Sequence, residues 1–93
     1  MNTGRQVIKL TNRTRDLMDR PMDRTMDLMN RTRDLGDRTR DILSRARYKN
    51  EKLAYIYLTD RSRSLAQDLI KLSSDRNLDS ELLYFKDFKK SID

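Results

Sequence analysis

A seven-residue repeat constrains this chain more than any other feature. Arg13-Thr14-Arg15-Asp16-Leu17-Met18-Asp19 returns as Arg24-Thr25-Met26-Asp27-Leu28-Met29-Asn30. It returns again as Arg31-Thr32-Arg33-Asp34-Leu35-Gly36-Asp37 and as Arg38-Thr39-Arg40-Asp41-Ile42-Leu43-Ser44, and Arg45-Ala46-Arg47 begins a decaying fifth unit. A strict seven-residue apolar period marks helices that pack along a seam. The period is too short for solenoid repeats, which start at about 20 residues. Arg20-Pro21-Met22-Asp23 is inserted between the first two units, and a four-residue insertion is a stutter that locally unwinds a supercoil. Thr14 and Thr25 stand eleven residues apart, so the apolar face is kept through the insertion. That continuity predicts helix rather than disorder.

With the Thr slot as a and the Leu slot as d, position a reads Val7, Thr14, Thr25, Thr32, Thr39, Ala46 and Leu53. Position d reads Leu10, Leu17, Leu28, Leu35, Ile42, Lys49 and Ile56, and position e holds Met18, Met29, Gly36 and Leu43. An apolar strip over a, d and e is wider than the seam of a two-stranded coil and suits a helix touched by two or more neighbours. The arginines at g (Arg13, Arg31, Arg38, Arg45) face no acid at e, so the bridges of a simple parallel dimer are missing. Each is instead matched within the helix where an Asp stands four residues before it: Asp27–Arg31, Asp34–Arg38 and Asp41–Arg45. That order is the favourable one, at roughly 0.2–0.5 kcal/mol per pair. Threonine at a buries little apolar area, though its hydroxyl can bond back to a backbone carbonyl. Such a helix needs partners, either copies of itself or its own second half.

Pro21 sits inside the stutter, where a helical proline removes one hydrogen bond and clashes with the carbonyl of Leu17. The expectation is a kink or short break there, because the face continues on both sides. Met18, Met22, Met26 and Met29 share one face around it. Thioethers can hold Cu(I), but with no His or Cys to assist, adaptable packing is the simpler reading.

The repeat decays after Ala46. Tyr48, Tyr55, Ser62 and Leu69, with Leu58, Leu65 and Leu72, form a new helical stripe rotated from the first. Ser73-Ser74-Asp75-Arg76-Asn77 is the strongest turn signal, with Asn77 or Asp79 as cap of a final helix carrying Leu78, Leu82, Phe85 and Ile92. That helix either folds back onto Leu65–Leu72 or docks on a neighbouring chain. The sequence thus reads as an all-α chain. Residues 1–47 form a long amphipathic heptad helix (stutter at 20–23), kinked near Pro21. Residues 48–72 form a second stretch, either continuous with the first or freshly capped at Asn50-Glu51. Residues 73–93 hold a turn and a short C-terminal helix. Bundle or coiled-coil-like packing with partner chains is expected.

Composition limits the chemistry. Of 93 residues, 35% are hydrophobic and 39% charged, against about half and a quarter in ordinary domains, so the private core is small. There is no His, Cys or Trp, which excludes His or Cys metal sites, His acid–base catalysis, Cys nucleophiles and disulfides. Carboxylate pairs such as Asp16/Asp19 and Asp23/Asp27 are explained by the repeat, and no phosphate-cradling loop or nucleophile elbow is present. No enzyme activity, cofactor or metal is expected. No apolar run would make a signal peptide or a transmembrane helix, which reads as an intracellular or virion-associated chain.

The leading function is a non-enzymatic structural or assembly protein. It would pack against copies of itself or line a larger particle such as a filament, virion or scaffold. Its interface would use Val7, Leu10, Thr14, Leu17, Met18, Thr25, Leu28, Met29, Thr32, Leu35, Thr39, Ile42, Leu43, Leu53, Leu58, Leu65, Leu69 and Leu72. The alternative is nucleic-acid binding. Residues 1–50 carry 13 basic residues against 7 Asp, while 51–93 balance at 8 and 8. Arg31, Arg38, Arg45, Arg47 and Lys49 are the candidate polyanion contacts. The interleaved Asp residues oppose that reading. A membrane-surface helix ranks third, since Thr-rich faces bury poorly in lipid.

Overall fold

The computed structural model describes residues 2–18, 25–44 and 51–92. They form four helices and no strand: α1 (Asn2–Met18), α2 (Met26–Ser44), α3 (Glu51–Asp75) and α4 (Asp79–Ile92). Successive helices run antiparallel. Gly4 and Thr11 of α1 lie against Leu43 and Gly36 of α2. Arg31 of α2 meets Asp68 of α3, and Arg38 lies beside Tyr57. The guanidinium of Arg13 stands 4.3 Å from the Tyr84 ring centre, tying α1 to α4. The result is an up-down-up-down helical bundle of 41 × 23 × 15 Å.

The two heptad segments do not run on as one kinked helix. α2 returns alongside α1, and α3 alongside α2, so residues 22–72 are not a single rod. A reversal lets each apolar strip serve as the other's partner within one chain, and a Thr-rich strip needs such a partner to be helical. Thr25, expected at a seam position inside a helix, instead precedes α2. Its carbonyl accepts the first helical bond, from Met29 N at 2.8 Å, which puts it at the N-cap, a position that favours threonine. Pro21 and the expected kink lie outside the described residues, as do Ala46, Tyr48 and Lys49.

The core joins Val7, Leu10 and Leu17 of α1 with Leu35 and Ile42 of α2, Ala54, Leu58, Leu65, Ala66 and Leu69 of α3, and Phe85, Phe88 and Ile92 of α4. Buried hydroxyls thread through it: Thr11, Thr14, Thr32, Thr39, Thr59 and Ser62. Each donates to a carbonyl of its own helix, as in Thr14 to Leu10 O at 2.7 Å, Thr32 to Leu28 O at 2.7 Å and Thr39 to Leu35 O at 2.6 Å. This removes most of the cost of burying a hydroxyl, about 1–3 kcal/mol in proteins when it is left unbonded.

α3 ends in a paired motif. Leu78 N donates to Ser73 O at 2.9 Å and Asn77 N to Ser74 O at 3.3 Å, with Asn77 at φ 56°. This is the helix stop that needs a left-handed residue, a role Asn fills when Gly does not. Asn77 therefore ends α3. The first helical bond of α4 runs from Leu82 N to Leu78 O at 2.8 Å, so Leu78 holds the N-cap position rather than Asn77 or Asp79. Asp79 and Glu81 occupy the first turn of α4 and Lys89 and Lys90 its last, both favourable to the helix dipole.

Candidate interaction surfaces

The residues expected at an interchain seam pack inside one chain. Val7, Leu10, Thr14, Leu17, Thr25, Thr32, Leu35, Thr39, Ile42, Leu58, Leu65 and Leu69 are buried, and Leu28, Met29 and Leu72 are half-buried. The Met18 and Met22 side chains lie outside those described, and Met26 is exposed. Leu43 and Leu53 depart from the expected pattern, at 37% and 60% exposure. For Leu53 the reason is register. The heptad frame carried past Ala46 assumes one continuing helix, whereas α3 starts afresh and turns Ala54, Leu58, Ser62, Leu65, Leu69 and Ser73 inward.

Six large apolar side chains among the described residues stay exposed: Met26, Leu43, Leu53, Tyr55, Ile56 and Leu83. Leu43 closes α2 and the next three open α3, and the antiparallel pairing brings those helix ends together. Four of the six therefore gather at one end of the bundle. α4 holds 14 residues against the 25 of α3, so it covers only part of the length of α3.

The expected polyanion contacts on α2 are engaged by acids. Arg31 bonds Asp68 of α3 and the Ser64 hydroxyl at 3.3 Å, and stands 3.8 Å from Asp27. Arg38 Nε donates to Asp34 at 3.3 Å; that bond, then the charges of Tyr57 and Asp34, raises its pKa above the ordinary arginine value. Arg45, Arg47 and Lys49, and with them the Asp41–Arg45 pair, lie outside the described residues. Tyr57 is flanked by two guanidinium groups, Arg38 at 6.0 Å and Arg61 at 5.5 Å. The α2–α3 groove beside it mixes Arg31 and Arg61 with Asp34 and Asp68, so it holds no excess of either sign.

The surplus charge of the described helices lies on α1 instead. It carries Arg5, Lys9, Arg13 and Arg15 against Asp16, whereas α2, α3 and α4 each balance. None of these four cations is ion-paired with a described carboxylate. The sequence carries the signal: Lys9 occupies the slot where later repeats place an Asp four residues before the arginine, so Arg13 follows a cation. Among the described residues no helix is long and apolar enough to cross a membrane. No protein-family model, curated protein sequence or solved structure matches this chain.

Proposed function

We propose that this protein is a non-enzymatic assembly component, a folded helical bundle that joins copies of itself within a larger particle through the junction of α2 and α3. One observation supports the reading: Leu53, Tyr55 and Ile56 stand exposed close together in the opening turns of α3, at the end of the bundle where α2 stops. Large apolar groups that a chain leaves in water together mark an interaction surface, whereas scattered ones do not. The heptad strip is not that surface, because it is consumed inside the chain. Tyr55 suits such a contact, offering a large apolar body with a polar tip. Light scattering across a concentration series should give a mass above that of one chain. The double variant Leu53→Glu/Ile56→Glu should restore a monomer with unchanged helicity. A wild-type protein that stays monomeric at every concentration overturns the reading.

A second reading, polyanion binding, draws on the cations of α1 that are not ion-paired with a described carboxylate. Arg5, Lys9 and Arg13 follow one another at intervals of four and so form a stripe along the helix. Replacing Arg5 and Lys9 by Gln should weaken nucleic-acid binding and lower its salt slope by up to about two units. Replacing Arg31 and Arg38, held by Asp68 and Asp34, should change it little. Absence of salt-sensitive binding by the wild type removes this reading.

A further inference from the structure

On the α3–α4 side of the bundle an open groove has a cavity volume of about 530 Å³. Ile70 and Leu83 line its apolar part, and Leu83 is 63% exposed. Lys86, Lys89 and Lys90 stand around it, with Asp87 the one carboxylate among the lining residues. None of the three lysines is ion-paired with a described carboxylate. Lys89 and Lys90 lie in the last turn of α4, where a cation serves the helix dipole. Lys86 lies a turn earlier, so the dipole does not account for it, nor for a leucine left in water beside it.

The geometry points to this groove as a docking site for an acidic amphipathic helix supplied by a partner protein. Two antiparallel helices leave a furrow between them into which the ridge of a third can lay its apolar side chains. Ile70 and Leu83 would take those side chains, and the three lysines would meet Asp or Glu on the flanks. Charge selects among occupants. A second copy of this face would bring three lysines against three lysines, and like charges brought together at a contact disfavour that pairing. A nucleic-acid strand would find lysines but no aromatic ring lining the groove on which to stack a base. A membrane-surface site needs a broad apolar face, and only Ile70 and Leu83 are apolar among the lining residues. The site is separate from the α2–α3 junction proposed for assembly, and neither depends on the other.

A labelled synthetic helix with Leu at i, i+3, i+4 and i+7 and Glu elsewhere is the probe, read by fluorescence anisotropy and by methyl shifts of Ile70 and Leu83. The full chain should bind it, more weakly as salt rises. Leu83→Asp should cost more than about tenfold in affinity. Lys86→Glu/Lys90→Glu should lower affinity and remove the salt dependence. Both changes are on the surface, so circular dichroism should be unchanged. The Leu53→Glu/Ile56→Glu variant should bind normally, which separates this site from the assembly surface. The proposal is overturned by no binding, by equal binding of a scrambled peptide of the same composition, by full affinity in the Leu83 variant, or by binding to anionic phosphatidylglycerol vesicles in place of the peptide.

Discussion

Gly36 of α2 lies directly over Thr11 of α1: a Cβ at residue 36 would stand 3.3 Å from the Thr11 hydroxyl and 3.5 Å from its Cβ. One heptad further along, Gly4 of α1 lies against Leu43 of α2. All four residues hold position e of the repeat. The e positions of α1 and α2 thus face each other, small against large, and this lets the two helices approach closely.

Substitutions at Gly36 test that contact. Gly36→Ala gains helix propensity of about 1 kcal/mol, set against mild crowding of Thr11. It should be close to neutral in chemical denaturation. Gly36→Leu should destabilise by about 1–3 kcal/mol, as overpacking does. A neutral Leu variant would show that α1 and α2 are not held at this distance.

Ser73 should give the opposite sign. Its hydroxyl is fully buried and has no hydrogen-bond partner among the described residues. Ser73→Ala removes that unsatisfied group and should stabilise by about 1 kcal/mol. Thr39→Ala, which deletes a hydroxyl bonded to Leu35 O and a core methyl, should destabilise. Thermal melts of the two variants should move in opposite directions.

Much of this architecture is legible in the repeat. The a and d positions of α1 and α2 are buried as the period requires, save Leu28, which is half-buried, and the threonine hydroxyls bond back as their chemistry allows. What the repeat does not carry is the identity of the partner strip. A Thr/Leu face is equally satisfied by a second chain or by the next segment of the same chain, because burial is non-directional. Among the described residues the reversal shows in the sequence only at Thr25, whose seam and cap roles look alike in a pattern. The Arg31–Asp68 pair is not legible in the sequence for the same reason: the local partner, Asp27, stands at the right spacing, and the tertiary one lies 37 residues away.

Stability should fall in alkali through Tyr84. Burial raises its phenol pKa, partly opposed by the nearby Arg13 charge. A raised folded-state pKa means that the folded chain holds this proton more tightly than the unfolded chain does. The stabilisation is full below the unfolded value of about 10 and is lost as pH rises through the folded one. Tyr84→Phe should flatten the melting temperature against pH between about 9 and 11. An unchanged slope would show that the ring stays protonated or is already solvated.

Leu35 and Leu53 separate the fold from a bare reading of the repeat. Both occupy seam positions of the heptad frame, d and a, and in an intermolecular coil an Asp at either would dissociate chains. The bundle makes them unequal, at 4% and 60% exposure. Leu35→Asp drives a carboxylate into the buried core, where Leu35 is packed among apolar side chains. It should cost about 4 kcal/mol or more and unfold much of a chain this small. Leu53→Asp puts the same charge into water and should leave helicity within experimental error, while weakening self-association if that surface is used. The two far-ultraviolet circular dichroism spectra, recorded at a concentration where the wild type is monomeric, decide the matter. Equal loss of helix in both would mean that the heptad strip continues through Leu53, as it would in one long helix.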